Sequence, residues 1–106
     1  MNEDLKPIPA AEAGQFLEDH EEEILLLDVR SPLEFIQEHL EMARNIHVDE
    51  LPNHLQELPK DKLIVTYCMK GARCSRAAEY LRSQNFKAVH IEGGLEAMKA
   101  AGFQHD

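Results

Sequence analysis

The chain has 106 residues, 43% of them hydrophobic, with eleven Lys and Arg against twenty Asp and Glu for a formal charge of −9. That length suits one compact domain over residues 1–106 and supplies one hydrophobic core without disulfides or a structural metal. The acidic balance argues against general nucleic-acid or acidic-membrane binding, and no apolar run reaches the roughly 20 residues that span a bilayer.

The N-terminal MNEDLKPIP has no apolar stretch of the signal-peptide type, so the expected compartment is the cytoplasm. Two cysteines are too few for a disulfide framework and read as chemistry or packing. Residues 10–19 place Ala13, Phe16 and Leu17 on one face of a helix. Glu23–Asp28 (EILLLD) is apolar throughout and too short for a helix, which predicts a strand buried on both faces. A short helix is expected from Pro32, because proline favours the first helical position. Residues 44–48 (RNIHV) make a weak strand.

Asp49 is placed to cap a helix running to about Leu58, with Pro52 in its first turn and a stripe of Val48, Leu51, Leu55 and Leu58. Lys62–Tyr67 (KLIVTY) is a second buried strand, followed by a helix over 74–83 with Asn85 as a left-handed stop. Residues 88–91 form another strand, and Gly93-Gly94 turns into a last helix over 95–101. Strands alternating with helices predict an α/β fold, a mostly parallel central sheet with helices on both faces. Ligands of such sheets sit beyond the carboxyl ends of the strands. Asp28-Val29-Arg30 and Cys68 to Arg73 both fall at that edge.

The second of these stretches, CMKGAR, carries the chemistry. Cys68 ends a strand, and the chain must reverse within five residues to start a helix. Gly71 is free to adopt a positive φ there. Such a turn aims consecutive N–H groups at one spot, and the next helix adds the positive end of its dipole. Lys70, Arg73 and Arg76 add full charges. A thiol in that setting is acidified, to a pKa of roughly 3.5–7.5. The plainer alternative makes Cys68 a small core residue and leaves the basic side chains in solvent; the glycine, the arginine five positions on and the helix start favour an activated nucleophile.

The chain resembles single-domain rhodanese-like sulfurtransferases along nearly its whole length. The resemblance runs through LLLDVRSPLEF, EHLEMARNI, LPKDKLIVTYCMKGARCSRAAEYLRSQNFKAVHIEGGLEAM and KAAGF. It implies a two-step reaction in which Cys68 takes a sulfane sulfur from a donor such as thiosulfate and passes it from a persulfide to cyanide or a thiol. The backbone amides of Met69, Lys70, Gly71, Ala72 and Arg73 would cradle that sulfur, while Lys70 and Arg73 orient an anionic donor. Asp28 and Arg30 would form an ion pair that braces the loop, and Glu34 and His39 match family positions of a structural kind. Partners implied are a small anionic sulfur donor and a thiol or protein acceptor; no cofactor or metal is implied, and the six histidines show no ligand spacing. Cysteine-based phosphatases hold five residues between Cys and Arg, against four here, which argues against phosphatase chemistry.

Two alternatives stand beside the enzyme reading. One is a carrier or binding module that delivers persulfide sulfur to a specific protein with little small-donor turnover. The other is a thiol switch through Cys68 and Cys74, although Cys74, Ala77, Ala78 and Leu81 share one helical face and predict a buried Cys74. The chain departs from the family where Met42 stands for a turn glycine, which predicts a rebuilt connection, and where Met98 stands for a tryptophan, which predicts looser packing beneath Gly93-Gly94.

Overall fold

A computed structural model describes residues 5–103. In chain order it comprises α1 (Ala10–Asp19), β1 (Ile24–Asp28), α2 (Pro32–Gln37), β2 (Arg44–Asn45), two 3₁₀ turns (Val48–Asn53 and Leu55–Glu57), β3 (Leu63–Tyr67), α3 (Ala72–Ser83), β4 (Ala88–His90) and α4 (Gly94–Ala100). The four strands pair in the order β2-β1-β3-β4, all parallel, with Leu26 opposite Val65 and Val65 opposite Val89. A single parallel bridge from Ile8 to Ile91 adds the chain's beginning to the sheet edge.

Strand alternation sorts the apolar side chains into two cores. Leu25, Leu27, Ile64 and Ala88 face one side, against Cys74, Ala77, Ala78 and Leu81 of α3 and Leu51 and Leu58 of the 3₁₀ segment. Ile24, Leu26, Val65 and Val89 face the other, against Ala13 of α1 and Leu95 and Met98 of α4. Both faces are therefore covered, which is why the strands read as unbroken apolar runs in the sequence. Met98 is fully buried in the second core.

Local signals act where the sequence places them, with three differences. The 49–58 segment is not an α-helix. Pro52 lacks the N–H that an α-helical turn would aim at Val48, and the backbone bonds instead run three residues apart, from Glu50 to His47 and from His54 to Leu51. His47 Nδ1, not Asp49, accepts the first free amide, at 3.2 Å from Asp49 N. The second strand shrinks to two residues, and α3 begins at Ala72, two residues before the expected start.

Two turns depend on left-handed residues other than glycine. Asn85 (φ 70°) ends α3, where Phe86 N donates to Leu81 O and Asn85 N to Arg82 O, each at 3.0 Å. That is the paired six-to-one and five-to-two bonding of a Schellman stop. Met42 was expected to force a different connection. It instead takes the glycine conformation itself, with φ 72°, and Ala43 N closes the turn onto Leu40 O at 3.1 Å. The methionine side chain escapes a clash by pointing outward, 48% exposed.

Candidate active site

The carboxyl ends of β1 and β3 lie side by side, with Asp28 opposite Tyr67 in the register. Val29 and Cys68 are the residues just beyond them. From Cys68 the chain turns through Gly71, whose φ of 108° makes it the left-handed cap of α3. This reversal folds the amides back over the sulfur: Gly71 N lies 3.1 Å and Cys74 N 3.2 Å from Cys68 Sγ. The sulfur thus sits on the first turn of a twelve-residue helix, among donors that the helix leaves without backbone partners.

The loop's carbonyls face the other way. Leu95 N donates to Cys68 O at 2.7 Å and Glu96 N to Met69 O at 2.9 Å, so the first amides of α4 hold the back of the loop. Gly94 makes that approach possible. A Cβ built on it would lie 2.3 Å from Cys68 O and 2.7 Å from Met69 O, and its φ is +65°. The Glu92-Gly93-Gly94 stretch is therefore a docking surface for the Cys68 loop. Thr66 fixes the loop's far end, its Oγ1 donating to Cys74 O at 2.8 Å.

Cys68 is 1% exposed and forms the floor of a cleft of about 300 Å³ lined by Glu34, Cys68, Met69, Lys70, Ala72 and Arg73. The Cys74 thiol and the amides of Cys74, Gly71 and Arg73 hold its pKa down to about 5, against burial, which pushes it up. Cys74 has carbonyl acceptors of its own, Gly71 O at 3.3 Å and Ile91 O at 3.7 Å, so the backbone amides are the part of this effect fixed by geometry. The thiolate beside it and burial push the Cys74 thiol up. Of the pair, Cys68 carries the charge and Cys74 keeps its proton. Cys74 lies in the apolar core with Ala77, Ala78 and Leu81, on the face that the helical spacing assigns it.

Arg73 and Lys70 behave differently. The Arg73 guanidinium grips Glu34 of α2 end on, Nη1 to Oε1 at 2.7 Å and Nη2 to Oε2 at 3.0 Å. Arg73, followed by Ser31, holds the Glu34 carboxyl down to about 2. Glu34 also closes the N-terminal capping box of α2, accepting from Ser31 N at 3.1 Å while its own N donates to Ser31 Oγ at 3.2 Å. Lys70 is exposed at the cleft wall. Arg76, counted in the sequence among the nearby charges, lies elsewhere, beside Asp49 and Glu79 in a second depression.

Asp28 and Arg30 form a fully buried ion pair, with Arg30 Nη2 2.7 Å from Asp28 Oδ2 and Arg30 Nε 3.0 Å from Oδ1. Nη2 also donates to Glu38 O, and the guanidinium lies 5.7 Å from the Tyr67 ring centroid. The Tyr67 hydroxyl in turn accepts from Leu40 N at 2.9 Å. The pair braces the 38–40 segment and the end of β3; the clamp on the Cys68 loop is Glu34. His39 stacks on Phe35, with ring centroids 3.8 Å apart, outside the cleft lining.

Sequence reasoning assigned Glu34 a structural place and missed its grip on Arg73, 39 residues away. The available signal was Ser31-Pro32-Leu33-Glu34, a capping pattern that fixes the carboxylate at the first turn of a helix beside the strand end. No cluster of three or more His, Cys, Asp or Glu placed to hold a metal occurs among the described residues, and no helix among them is long and apolar enough to cross a membrane.

This arrangement of parallel strands, Cys68 loop and supporting glycine turn defines a class. A sequence model of the family described as "Rhodanese-like domain" matches residues 10–101, and the chain belongs to that family. Among solved structures, a rhodanese-related protein of Thermoplasma volcanium superimposes with a TM-score of 0.80 at 29% identity, covering 93% of this chain and 95% of that one. Among sequences, the Bacillus subtilis protein YtwF is 34% identical over 94 residues, 89% of this chain and 90% of its own length. A sulfurtransferase of Allochromatium vinosum is 34% identical over 82 residues, 76% of this chain and 77% of that protein. A tRNA uridine(34) hydroxylase of Cronobacter sakazakii is 36% identical over 95 residues, which make up 83% of this chain and only 27% of that protein.

Proposed function

We propose that the chain is a sulfurtransferase that carries sulfane sulfur on Cys68. The observation that carries this reading is one buried sulfur accepting from Gly71 N and Cys74 N at a helix start, at the floor of an open cleft. Family membership and the sulfurtransferase name of a relative support sulfur transfer in general.

The chemistry follows from the geometry. The Cys68 thiolate attacks the outer sulfur of a donor such as thiosulfate. The donor's S–S bond breaks and its electron pair leaves with the remainder, as sulfite from thiosulfate or as a thiolate from a persulfide. The new outer sulfur, one bond further out than Sγ, would be held by the backbone amides of the loop from Met69 to Arg73, a role supported by Gly71 N and Cys74 N donating to Sγ, and these amides would stabilise its negative charge. A cyanide or thiolate acceptor then attacks the outer sulfur and returns the Cys68 thiolate. No step requires an external redox partner. The reaction reads as taking place in the cytoplasm, with a thiol or protein as acceptor.

The test is sulfur transfer to cyanide, followed as thiocyanate, by the native chain and by Cys68→Ser. Turnover by the native chain with none in Cys68→Ser is the expected result; equal rates in both would remove Cys68 from the reaction.

A second reading, a carrier that hands persulfide sulfur to one protein, draws on Leu33 and Ile36. They stand 64% and 75% exposed on α2, the helix that carries Glu34. Exposed apolar side chains beside a reactive cleft suit contact with a partner. This reading predicts little thiocyanate formation from small donors despite stoichiometric sulfur loading.

A further inference from the structure

The electrostatics of the cleft narrow the donor, on the assumption that Cys68 does transfer sulfur. Four charged groups line it: the Cys68 thiolate, Glu34, Lys70 and Arg73. The two negative charges balance the two positive ones. Arg73 is the group best shaped to hold an oxyanion, because its two Nη atoms match a pair of oxygens in parallel. That fork is already filled by both oxygens of Glu34, at 2.7 and 3.0 Å. Lys70 is left as the cation of the cleft without an ion pair among the described residues, and it stands exposed, where water screens its charge. A dianionic oxyanion entering here would displace Glu34 from Arg73 or rely on Lys70 alone, while approaching a protein of formal charge −9.

The remaining lining favours a different donor. Met69 and Ala72 offer apolar contact within the cleft, and Leu33 and Ile36 extend exposed apolar surface along α2. We infer that the sulfur donor is an organic persulfide carrying at most one negative charge, and that Glu34, by occupying the Arg73 fork, is the positioning residue that selects it over thiosulfate-like dianions. The transfer balances without a further reactant: the Cys68 thiolate attacks the terminal sulfur of the organic persulfide, the donor's S–S bond breaks, and its electron pair departs on the organic thiolate. The thiolate takes up the proton that the persulfide carried.

The experiment compares second-order rates of Cys68 persulfide formation from cysteine persulfide, whose ammonium leaves it at most one net negative charge, and from thiosulfate, read by intact mass, in the native chain and in Glu34→Gln. Glutamine keeps the capping box of α2 while removing the charge that fills the fork. The native chain is expected to prefer the persulfide by about a hundredfold, and Glu34→Gln to shift the donor ratio toward thiosulfate by about tenfold, the scale of one charge-assisted contact regained. Lys70→Met should lower the thiosulfate rate more than the persulfide rate, and rising salt should weaken thiosulfate selectively. Equal rates from both donors in the native chain, or an unchanged ratio in a folded Glu34→Gln, overturn the donor assignment while leaving sulfur transfer intact. No sulfur gained from either donor overturns both.

Discussion

Among the places where this molecule holds residues at positive φ, two solve the problem in opposite ways. In the Leu40–Ala43 turn a methionine occupies the left-handed position at 72°, its side chain free to leave the backbone. At the Cys68 loop and its support, the left-handed residues are Gly71, Gly93 and Gly94, each packed against other atoms. The torsion itself costs a side-chain-bearing residue only about 1–2 kcal/mol. What the loop cannot accommodate is the side chain, since a Cβ on Gly94 would stand 2.3 Å from the carbonyl of Cys68. Left-handed backbone is thus tolerated in the Leu40–Ala43 turn, whereas close approach is obligatory at the site.

The sharpest way to break this comparison is Gly94→Ala. Its methyl group collides with two backbone carbonyls of the loop, so the variant should lose several kcal/mol of stability, of the order seen for strained special positions, and most of its Cys68 reactivity. Urea unfolding together with alkylation rates would measure both. A variant with native stability and native reactivity would mean that α4 does not hold the loop.

Next in size is the acidity that the held loop confers. The Cys68 thiol, held down to about 5, should react with iodoacetamide at a rate nearly independent of pH above about 6 and falling below about 5. An ordinary cysteine would gain rate up to about 8.5. Cys74, pushed up by burial and by the neighbouring thiolate, should stay unreactive until the chain unfolds. Mass-resolved alkylation between pH 4 and 9 distinguishes the two sulfurs.

The effect of the Glu34–Arg73 clamp should be smaller. Both side chains are about a third exposed, so solvent screening limits the pair to about 1 kcal/mol. Because Glu34 is held below its unfolded pKa, this stability is present above about 4.5 and is lost as pH falls through about 2. The melting temperature of Glu34→Gln should therefore lie a few degrees below that of the native chain at pH 7 and converge with it near pH 2. A constant gap across that range would assign the effect to packing.

The smallest expected effect is at the other turn. Met42→Gly relieves the left-handed strain but frees the unfolded chain, leaving a net gain of about 0.5–1 kcal/mol with Cys68 reactivity unchanged. A loss of stability would show that the exposed methionine has contacts of its own.

The same contrast explains what could be read from the residues. The buried strands, the two-sided sheet, the Cys74 face of α3 and the Asn85 stop follow from short-range periodicity and capping, and all stand in the fold. Cys68 and Gly71 were legible together because a strand end, a positive-φ residue and a helix start fall within five positions. The support of the loop was not, since Leu95 and Glu96 act through backbone amides, which leave no mark on side-chain identity. Nor was the Glu34 clamp, which depends on the approach of α2 to α3 across 39 residues. The 49–58 segment misled for a local reason: a leucine stripe at helical spacing is shared by α and 3₁₀ turns, and Pro52 decides between them.

The central claim is that Cys68 carries the sulfur. It is tested most directly by the intact mass of the native chain and of Cys68→Ser after exposure to cysteine persulfide, followed by cyanide. The native chain should gain the mass of one sulfur atom and lose it to cyanide, with no gain in Cys68→Ser. A native chain that gains nothing, or a Cys68→Ser variant that gains the same cyanide-labile sulfur, would contradict it.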